Sequence, residues 1–369
     1  MGTKGQHETE LIVSTPRVNT IKSFQRTAWI TVVSALLVWI CAPSAAAQSL
    51  IIQDEGSIPL EVDHIYKKGL TYLAGSQNAT GHWRGSGENG VTALCLMAFL
   101  ASGDDPNYGQ YSRHVRSAIR ALLTGQEPDT GYYPSSLYHH GFTMLALAEA
   151  YGAVDESLLW GAKDRNQVSI AESLQKAVAM AEKSQKSNRF GGWRYSPTSN
   201  DADTSVTGSV VMGLLACKNA GIAVSDKMLT DALDYIRTST ASNGYVAYSG
   251  GMGSGRESMN RSALATLVFA VAQHRDWDEF KATKEHISTR LDHKETGHPH
   301  YFLYYMAQAM FQTDYPKWQL WNERVTKQLA TTQAADGHFT GSYGESYGTA
   351  MSLLSLALNY RFLPIYERF

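Results

Sequence analysis

From residue 61 onward, the hydrophobic and polar positions alternate between two kinds of helical segment. One kind carries its apolar residues on a single face, as over residues 64–73 and 170–182. The other is rich in Ala, Leu, Val and Met nearly all round, as over residues 93–100 and 350–358. A helix that is apolar all round is buried, whereas an amphipathic helix keeps one face in water. The pattern therefore predicts outer helices that alternate with inner ones.

A short motif marks the loop between each outer helix and the inner helix that follows it. The motif is a glycine with an aromatic residue two positions later, and it recurs at Gly81-His82-Trp83, Gly131-Tyr132-Tyr133, Gly191-Gly192-Trp193 and Gly337-His338-Phe339, with weaker copies at Gly244-Tyr245-Val246 and Gly297-His298-Pro299. The apolar segments after these loops begin near Thr92, Thr143, Thr207, Ser262, Phe302 and Thr349. Six helical hairpins would account for the chain after the leader. If they closed on themselves, six inner helices would stand inside six outer ones, with no open end to cap.

The first 60 residues follow a different pattern. A polar segment ends with Lys22 and Arg26, an apolar run covers residues 28–40, and Pro43 and an Ala-Ala-Ala sequence at 45–47 come next. A basic flank, a short apolar run and a small-residue cleavage site are typical of a signal peptide. We expect residues 1–47 to be a cleaved export signal and the protein to be periplasmic or secreted. The alternative is an uncleaved anchor, which would associate the protein with a membrane.

Composition narrows the remaining choices. The chain has 369 residues, 43% of them hydrophobic, and its 32 basic and 34 acidic side chains leave a net charge of −2. The hydrophobic fraction excludes a mostly disordered chain. The near-neutral charge leaves no excess of basic residues for binding nucleic acid. Three cysteines are too few for a disulfide scaffold, and Cys95 and Cys217 lie in apolar runs typical of buried thiols.

The loop motif resembles a known repeat. Repeat one matches the QW repeat of squalene and oxidosqualene cyclases at every position: Lys68-Gly69-x2-Tyr72-Leu73-x3-Gln77-x3-Gly81-x-Trp83. Repeat three is close, with Gln185, Gly191 and Trp193, and repeat six keeps Gln333, Gly337 and Phe339. Over residues 60–360 the chain therefore resembles the prenyltransferase and squalene-oxidase repeat superfamily. The resemblance implies an all-α fold, the α6/α6 toroid. We expect a linker at 48–60, one toroid domain at 61–362 and a tail at 363–369.

The chemistry is expected where the inner helices begin, because their N-termini share one mouth of the toroid. Four residues before the start of each apolar segment stand Glu88, His139, Asp203, Ser258, His298 and Glu345. The candidate catalytic residues are Asp203, Asp201, His139 and Glu345. The candidate ligand-binding residues are Glu88, His140, Glu257, Arg256, His298, His300, Tyr301 and Tyr347. A Gly-rich stretch at 250–255 is expected to form a flap beside them, and the weaker alternative is a phosphate cradle with Arg256 and Arg261. Six helix N-termini at the mouth favour an anion, so diphosphate binding stays open.

The densest part of this ring is Asp201-Ala202-Asp203-Thr204-Ser205. In protonating terpene cyclases the middle carboxyl of a D-x-D-D motif is the acid, and the resemblance places Asp203 there, with Thr204 in the last position. Protein prenyltransferases bind zinc through an Asp and a Cys two residues later, but this chain has Ser205, a poor zinc ligand. We therefore expect no metal and no cofactor. As a helix N-cap, Asp203 is expected to favour its ionised form, since backbone N–H groups and the helix dipole stabilise it.

Two further expectations concern the lining of the mouth. His139 and His140 are interpreted as solvated loop histidines rather than metal ligands. Aromatic residues of the inner helices concentrate in repeat five, which predicts a cavity with few rings elsewhere; they are Tyr301, Phe302, Tyr304, Tyr305 and Phe311.

Three functions remain open on these residues. The first is an exported terpenoid-cyclase-like or prenyltransferase-like toroid that binds, and in one version transforms, an isoprenoid or other lipid. The second is a carbohydrate-active toroid, a lyase or hydrolase working through mouth carboxylates. The third is a noncatalytic binding or scaffold module.

Overall fold

The computed structural model describes residues 58–85, 87–162, 164, 167–249 and 258–366. The expected signal peptide at 1–47, most of the linker, the Gly-rich stretch at 250–255, and Arg256 and Glu257 lie outside these residues. The described part contains twelve α-helices and no strand, which confirms the all-α prediction.

The helices alternate between an outer and an inner ring. The outer helices are α1 (Leu60–Ser76), α3 (Ser112–Thr124), α5 (Ile170–Gln185), α7 (Asp226–Thr238), α9 (Asp278–Ser288) and α11 (Tyr315–Thr332). The inner helices are α2 (Glu88–Leu100), α4 (Leu137–Ala150), α6 (Thr204–Asn219), α8 (Met259–Val271), α10 (Pro299–Thr313) and α12 (Glu345–Leu356). Three 3₁₀ turns cover Glu156–Leu158, Ala357–Asn359 and Pro364–Tyr366. None of the helices in the described ranges is long and apolar enough to cross a membrane.

Packing between neighbours closes both rings. Each inner helix packs on the next, and α12 returns to pack on α2. The outer helix α11 likewise contacts α1, so the last helical pair sits beside the first. In this order α2 stands opposite α8, and α4 opposite α10. The fold is the α6/α6 toroid.

The glutamines of the QW motif fasten one outer helix to the next. Gln77 donates from Nε2 to the carbonyl of Gly81 in its own loop and to that of His114 on α3. Gln126 and Gln185 make the same pair of bonds one and two steps further round. Gln333 donates to the carbonyls of Gly337 and of Ile65 on α1, across 268 residues of sequence. This last bond joins the end of the ring to its beginning.

The inner helices begin three to six residues earlier than the apolar pattern predicts, since their first turns are polar. The hydroxyls Thr92, Thr207 and Thr349 accept hydrogen bonds from backbone N–H groups of the preceding loops, at Trp83, Trp193 and Phe339. In the second pair this role belongs to His140, whose Nδ1 accepts from the Tyr133 N–H at 3.1 Å.

Glycine allows the closest approach between two inner helices. A Cβ on Gly141 of α4 would stand 2.6 Å from the backbone carbon of Ser209 on α6. A Cβ on Gly213 of α6 would meet the carbonyl oxygen of Gly141 at 2.5 Å. Cys95 and Cys217 are buried as free thiols in the same inner layer, and burial raises the pKa of each.

Candidate functional site

A cavity of about 400 Å³ opens where the inner helices begin. Its walls come from the first turns of α2, α4, α6, α8, α10 and α12 and from the loops before them. Seven aromatic side chains line it: Tyr138, Phe142, Tyr195, Tyr248, Tyr301, Tyr343 and Tyr347. The prediction of few rings outside the fifth helical pair was therefore wrong, since only Tyr301 among the seven belongs to that pair.

Aromatic rings also close the central axis beneath this cavity. Tyr138 of α4 stacks on Tyr301 of the opposite helix α10, with ring centroids 6.1 Å apart. Tyr305 packs on Tyr301 at 4.5 Å and Tyr304 on Phe142 at 6.0 Å. We call these five rings the aromatic floor. The cavity above it is a bowl rather than a tunnel through the toroid.

Two opposite walls of the bowl differ in polarity. Helix α2 presents Gly90, Val91 and Leu94. Helix α8, which stands opposite, presents Asn260 and Arg261, with Ser258 at its N-cap. The Asn260 Oδ1 is buried and has no hydrogen-bond partner among the described residues, and the buried Tyr301 hydroxyl makes no hydrogen bond of ordinary length there.

His139 lines the bowl on the α4 side. Its Nδ1 lies 2.8 Å from the Ser136 hydroxyl, and its ring packs flat against the backbone of Gly87 and Gly90, where a Cβ would collide with it. Burial lowers the pKa of His139, so the ring is neutral at pH 7. It can accept or donate one proton there, but it supplies no positive charge.

Asp203 is the N-cap of α6, as expected, and is fully buried. Its Oδ1 accepts from the Val206 N–H at 2.9 Å, while its Oδ2 has no hydrogen-bond partner among the described residues. The Arg194 Nε is 3.8 Å from that oxygen.

Burial raises the pKa of Asp203 to about 6, against the lowering effects of the Val206 and Ser205 N–H groups and of Arg194. The expectation that capping would favour the ionised form was wrong, because desolvation of the carboxylate outweighs the cap. The carboxyl is not part of the lining, but it is close to two lining tyrosines, Tyr195 and Tyr301, whose pKa values are raised first by burial and further by the Asp203 charge.

Asp201 does not share this environment. Half of its side chain is exposed, and its Oδ2 pairs with the Arg194 guanidinium at 3.0 Å. Arg194 thus lies between the two carboxyls of the Asp-x-Asp sequence and stacks over the Tyr248 ring, 5.4 Å from its centroid. Only Asp203 is held as a buried acid.

The structure brings some of the predicted residues to the bowl and places others elsewhere. His139, His298, Tyr301 and Tyr347 line it. Glu345 accepts a hydrogen bond from the Tyr72 hydroxyl at 2.8 Å on a separate outer groove, and Glu88 is exposed outside the lining. His300 lies between the Ser352 hydroxyl and the Thr340 carbonyl, at 3.1 and 2.9 Å.

His140 is a structural residue of the inner layer. It is fully buried, with Nε2 3.1 Å from the Ala177 carbonyl, and burial lowers its pKa to about 4. The interpretation of His139 and His140 as solvated loop histidines was wrong, because α4 begins at Leu137 and carries both.

Four lining tyrosines were not singled out from the sequence: Tyr138, Tyr195, Tyr248 and Tyr343. Two of them could have been found from the sequence. Tyr195 and Tyr248 each stand two residues after the last position of the loop motif, which is Trp193 in one repeat and Val246 in the next. Tyr195 and Tyr343 are 46% and 40% exposed, so they form the rim.

The described lining of the bowl is apolar and aromatic, with neutral hydrogen-bonding groups and one guanidinium, that of Arg261. No carboxylate lines it among the described residues. Within the same part of the chain, no three His, Cys, Asp or Glu side chains are grouped closely enough to hold a metal ion.

No protein-family model matches the chain, and no curated protein matches its sequence. Solved structures do. An inactive variant of an α-1,6-mannanase from Salegentibacter sp. HEL1_6, in complex with α-1,6-mannotriose, matches 82% of this chain and 99% of its own, at 10% identity and a TM-score of 0.58.

A variant of the type II terpene cyclase MstE from Scytonema, in complex with its substrate geranylgeranyl dihydroxybenzoate, matches with the same coverage, at 15% identity and a TM-score of 0.57. A protein from Actinoplanes matches 82% of the chain at 14% identity and a TM-score of 0.55. The chain thus shares the toroid fold of terpene cyclases and mannanases.

Proposed function

We propose that the protein binds a short isoprenoid in the bowl. The observation that carries this proposal is a concave site lined by seven aromatic rings, Val91 and Leu94, with no carboxylate among the described residues of its surface. Such a lining favours an apolar ligand with double bonds, which pack well on aromatic faces. The shared fold supports the proposal, since the terpene cyclase from Scytonema was solved with a geranylgeranyl substrate.

The volume of the bowl sets the length of the ligand. At about 30 Å³ for a water-sized group, 400 Å³ holds roughly a dozen non-hydrogen atoms. This corresponds to about two or three isoprene units. A longer chain would extend past the rim.

The test is a binding titration of the full chain with farnesol, paired with mass spectrometry of lipids that copurify from an isoprenoid-producing host. Ser258→Trp places a ring in the bowl and is expected to weaken binding at least tenfold. Ser258→Ala is the matched control, because the Ser258 side chain makes no cap hydrogen bond. Wild-type protein that neither binds farnesol nor retains an isoprenoid would contradict the proposal.

Protonation of the bound ligand by Asp203 is a second proposal, favoured by the raised pKa and the unpaired Oδ2 of that residue. The protonated carboxyl would donate its proton to a carbon–carbon double bond, and the resulting cation would close a ring and lose a proton, so that the net change is an isomerisation. Tyrosine faces around the bowl would stabilise the cation. Contact with the ligand requires neighbouring side chains to move, since Asp203 is fully buried and is not part of the lining.

Activity of this kind is expected to be highest below pH 6 and to fall as pH rises through about 6, because the acid must be protonated. Product analysis with farnesol and geranylgeraniol at pH 5 and pH 8 measures this. Asp203→Asn should abolish the product while leaving binding intact. Product formation that survives in Asp203→Asn would exclude this role.

A carbohydrate-active enzyme is the alternative raised by the shared mannanase fold. Two carboxylates that flank a glycosidic bond are the usual requirement, and the described lining offers none. Mannotriose serves as the comparison ligand in the titration. Tighter binding of mannotriose than of farnesol would favour this alternative.

We also propose that the protein is exported through residues 1–47. The basic flank, the apolar run at 28–40 and the alanines at 45–47 support this proposal. N-terminal sequencing of the protein from its native host is expected to begin at Gln48. A membrane-bound protein that retains residues 1–47 would instead identify an anchor.

A further inference from the structure

The α8 side of the bowl carries polar atoms that nothing in the described structure satisfies. Asn260 is only 6% exposed and Tyr301 only 8%. The Asn260 Oδ1 lacks a hydrogen-bond partner there. The Tyr301 hydroxyl, although the Ser205 and Tyr305 hydroxyls are near it, makes no hydrogen bond of ordinary length. Asn260 and Tyr301 both line the bowl. A buried polar group without a partner is costly, so native proteins seldom keep one without a use.

These two groups come from neighbouring inner helices. Asn260 is the second residue of α8, and Tyr301 is the third of α10. The wall opposite α8 is apolar, with Val91 and Leu94 of α2. The bowl therefore has one polar wall and one apolar wall, and a ligand that contacts both walls needs one polar end.

From this arrangement we infer that the ligand carries a hydroxyl head group that lies against the Asn260 amide and the Tyr301 hydroxyl, with its hydrocarbon chain against α2 and the other rings of the aromatic floor. An amide and a phenol can each donate or accept a hydrogen bond, and a hydroxyl is the small neutral group that does both. The inference rests on the proposed isoprenoid function and narrows the ligand to isoprenoid alcohols or phenols.

The charges near the bowl separate a hydroxyl from a diphosphate head group. A diphosphate only accepts hydrogen bonds at neutral pH and needs several cations. Arg261 is the one Arg or Lys of the described lining, and its Nε donates to the Val246 carbonyl at 2.8 Å. Burial lowers the pKa of His139, so its ring is neutral at pH 7, and the Asp203 carboxyl is close enough to the lining residue Tyr301 to add to the rise of its pKa that burial causes. This surround favours a neutral head group.

The experiment compares three probes of equal chain length on the full-length protein: farnesol, the hydrocarbon farnesene and farnesyl diphosphate. Wild type is expected to bind farnesol at least about tenfold more tightly than farnesene, as one or two new buried hydrogen bonds imply. Farnesyl diphosphate is expected to bind more weakly than farnesol.

Two near-isosteric variants locate the effect. Asn260→Leu and Tyr301→Phe should each lower the ratio of farnesol affinity to farnesene affinity several-fold relative to wild type. Farnesene bound as tightly as farnesol by wild type would overturn the head-group inference and leave the isoprenoid proposal standing. Tighter binding of the diphosphate would also overturn it. Binding of none of the three probes would reject the isoprenoid function and the inference together.

Discussion

At the scale of single residues, Asp203 is the most unusual group in the molecule. Three features favour its charge: two backbone N–H groups at the start of α6 and the nearby Arg194 guanidinium. Burial opposes all three and prevails, which leaves one carboxyl oxygen without a hydrogen bond. A carboxyl that is easier to protonate than in water makes the folded state sensitive to pH.

Replacing this carboxyl by an amide is expected to stabilise the protein at high pH. The folded pKa of about 6 exceeds the unfolded value of about 3.9, so the protonated carboxyl stabilises the fold below about pH 4, and this contribution is lost as pH rises through 6. Asp203→Asn keeps an N-cap side chain and removes the titration. In urea unfolding, the unfolding free energy of Asp203→Asn relative to that of wild type should rise by about 2–3 kcal/mol from pH 4 to pH 8.

The control for this effect is Asp201→Asn, which removes a half-exposed carboxylate and should change the unfolding free energy by less than about 1 kcal/mol at either pH. Asp203→Ala also loses the cap, at a cost of about 1 kcal/mol. An Asp203→Asn variant whose stability follows pH as wild type does would show that Asp203 has an ordinary pKa.

At the scale of elements, the first turns of the inner helices do most to shape the site. They lie between apolar helix bodies and polar loops, and for that reason the apolar pattern placed their starts three to six residues too late. The sequence predicted which helices are inner and which residues stand near their starts. It did not predict side-chain direction, as His140 turning into the layer behind the bowl illustrates.

The contact between α4 and α6 depends on glycine, which gives a second prediction. Gly141→Ala places a methyl group against the Ser209 backbone and is expected to destabilise the protein by about 2–4 kcal/mol in urea unfolding. The matched change is Gly75→Ala, at an exposed position of α1 with open space around it. It should stabilise the protein by about 0.5–1 kcal/mol. A neutral Gly141→Ala would mean that α4 and α6 stand further apart than described.

At the scale of the whole molecule, closure of the ring is the property that a linear pattern shows least directly. The QW resemblance predicted the toroid. The hydrogen bond from Gln333 to the Ile65 carbonyl is a contact that closes it, because it joins the last outer helix to the first. Closure also explains why the lining was underestimated. Tyr195, Tyr248 and Tyr343 belong to three separate loops, and only a closed ring brings those loops around one mouth.

Ring closure can be tested through its glutamines. Gln333→Ala removes the hydrogen bonds that Gln333 donates to the Ile65 and Gly337 carbonyls and is expected to cost about 1–3 kcal/mol in unfolding free energy. Gln77→Ala, at an internal junction, should cost a similar amount. Gln328→Ala, on an exposed face of α11, should cost less than about 0.5 kcal/mol. If Gln333→Ala behaved like Gln328→Ala, the ring would be open at this seam.

The aromatic floor has a consequence for how a ligand would enter and leave the bowl. Because Tyr138 and Tyr301 meet across the axis, a ligand bound as proposed would enter and leave the bowl at the end where the inner helices begin. A bound ligand would therefore have to leave before a second one could enter. For the proposed isoprenoid, the floor would also limit the length of chain inside the bowl: with one end held on the α8 side, a fixed number of carbons would fit, and the carbons beyond that number would remain in the solvent.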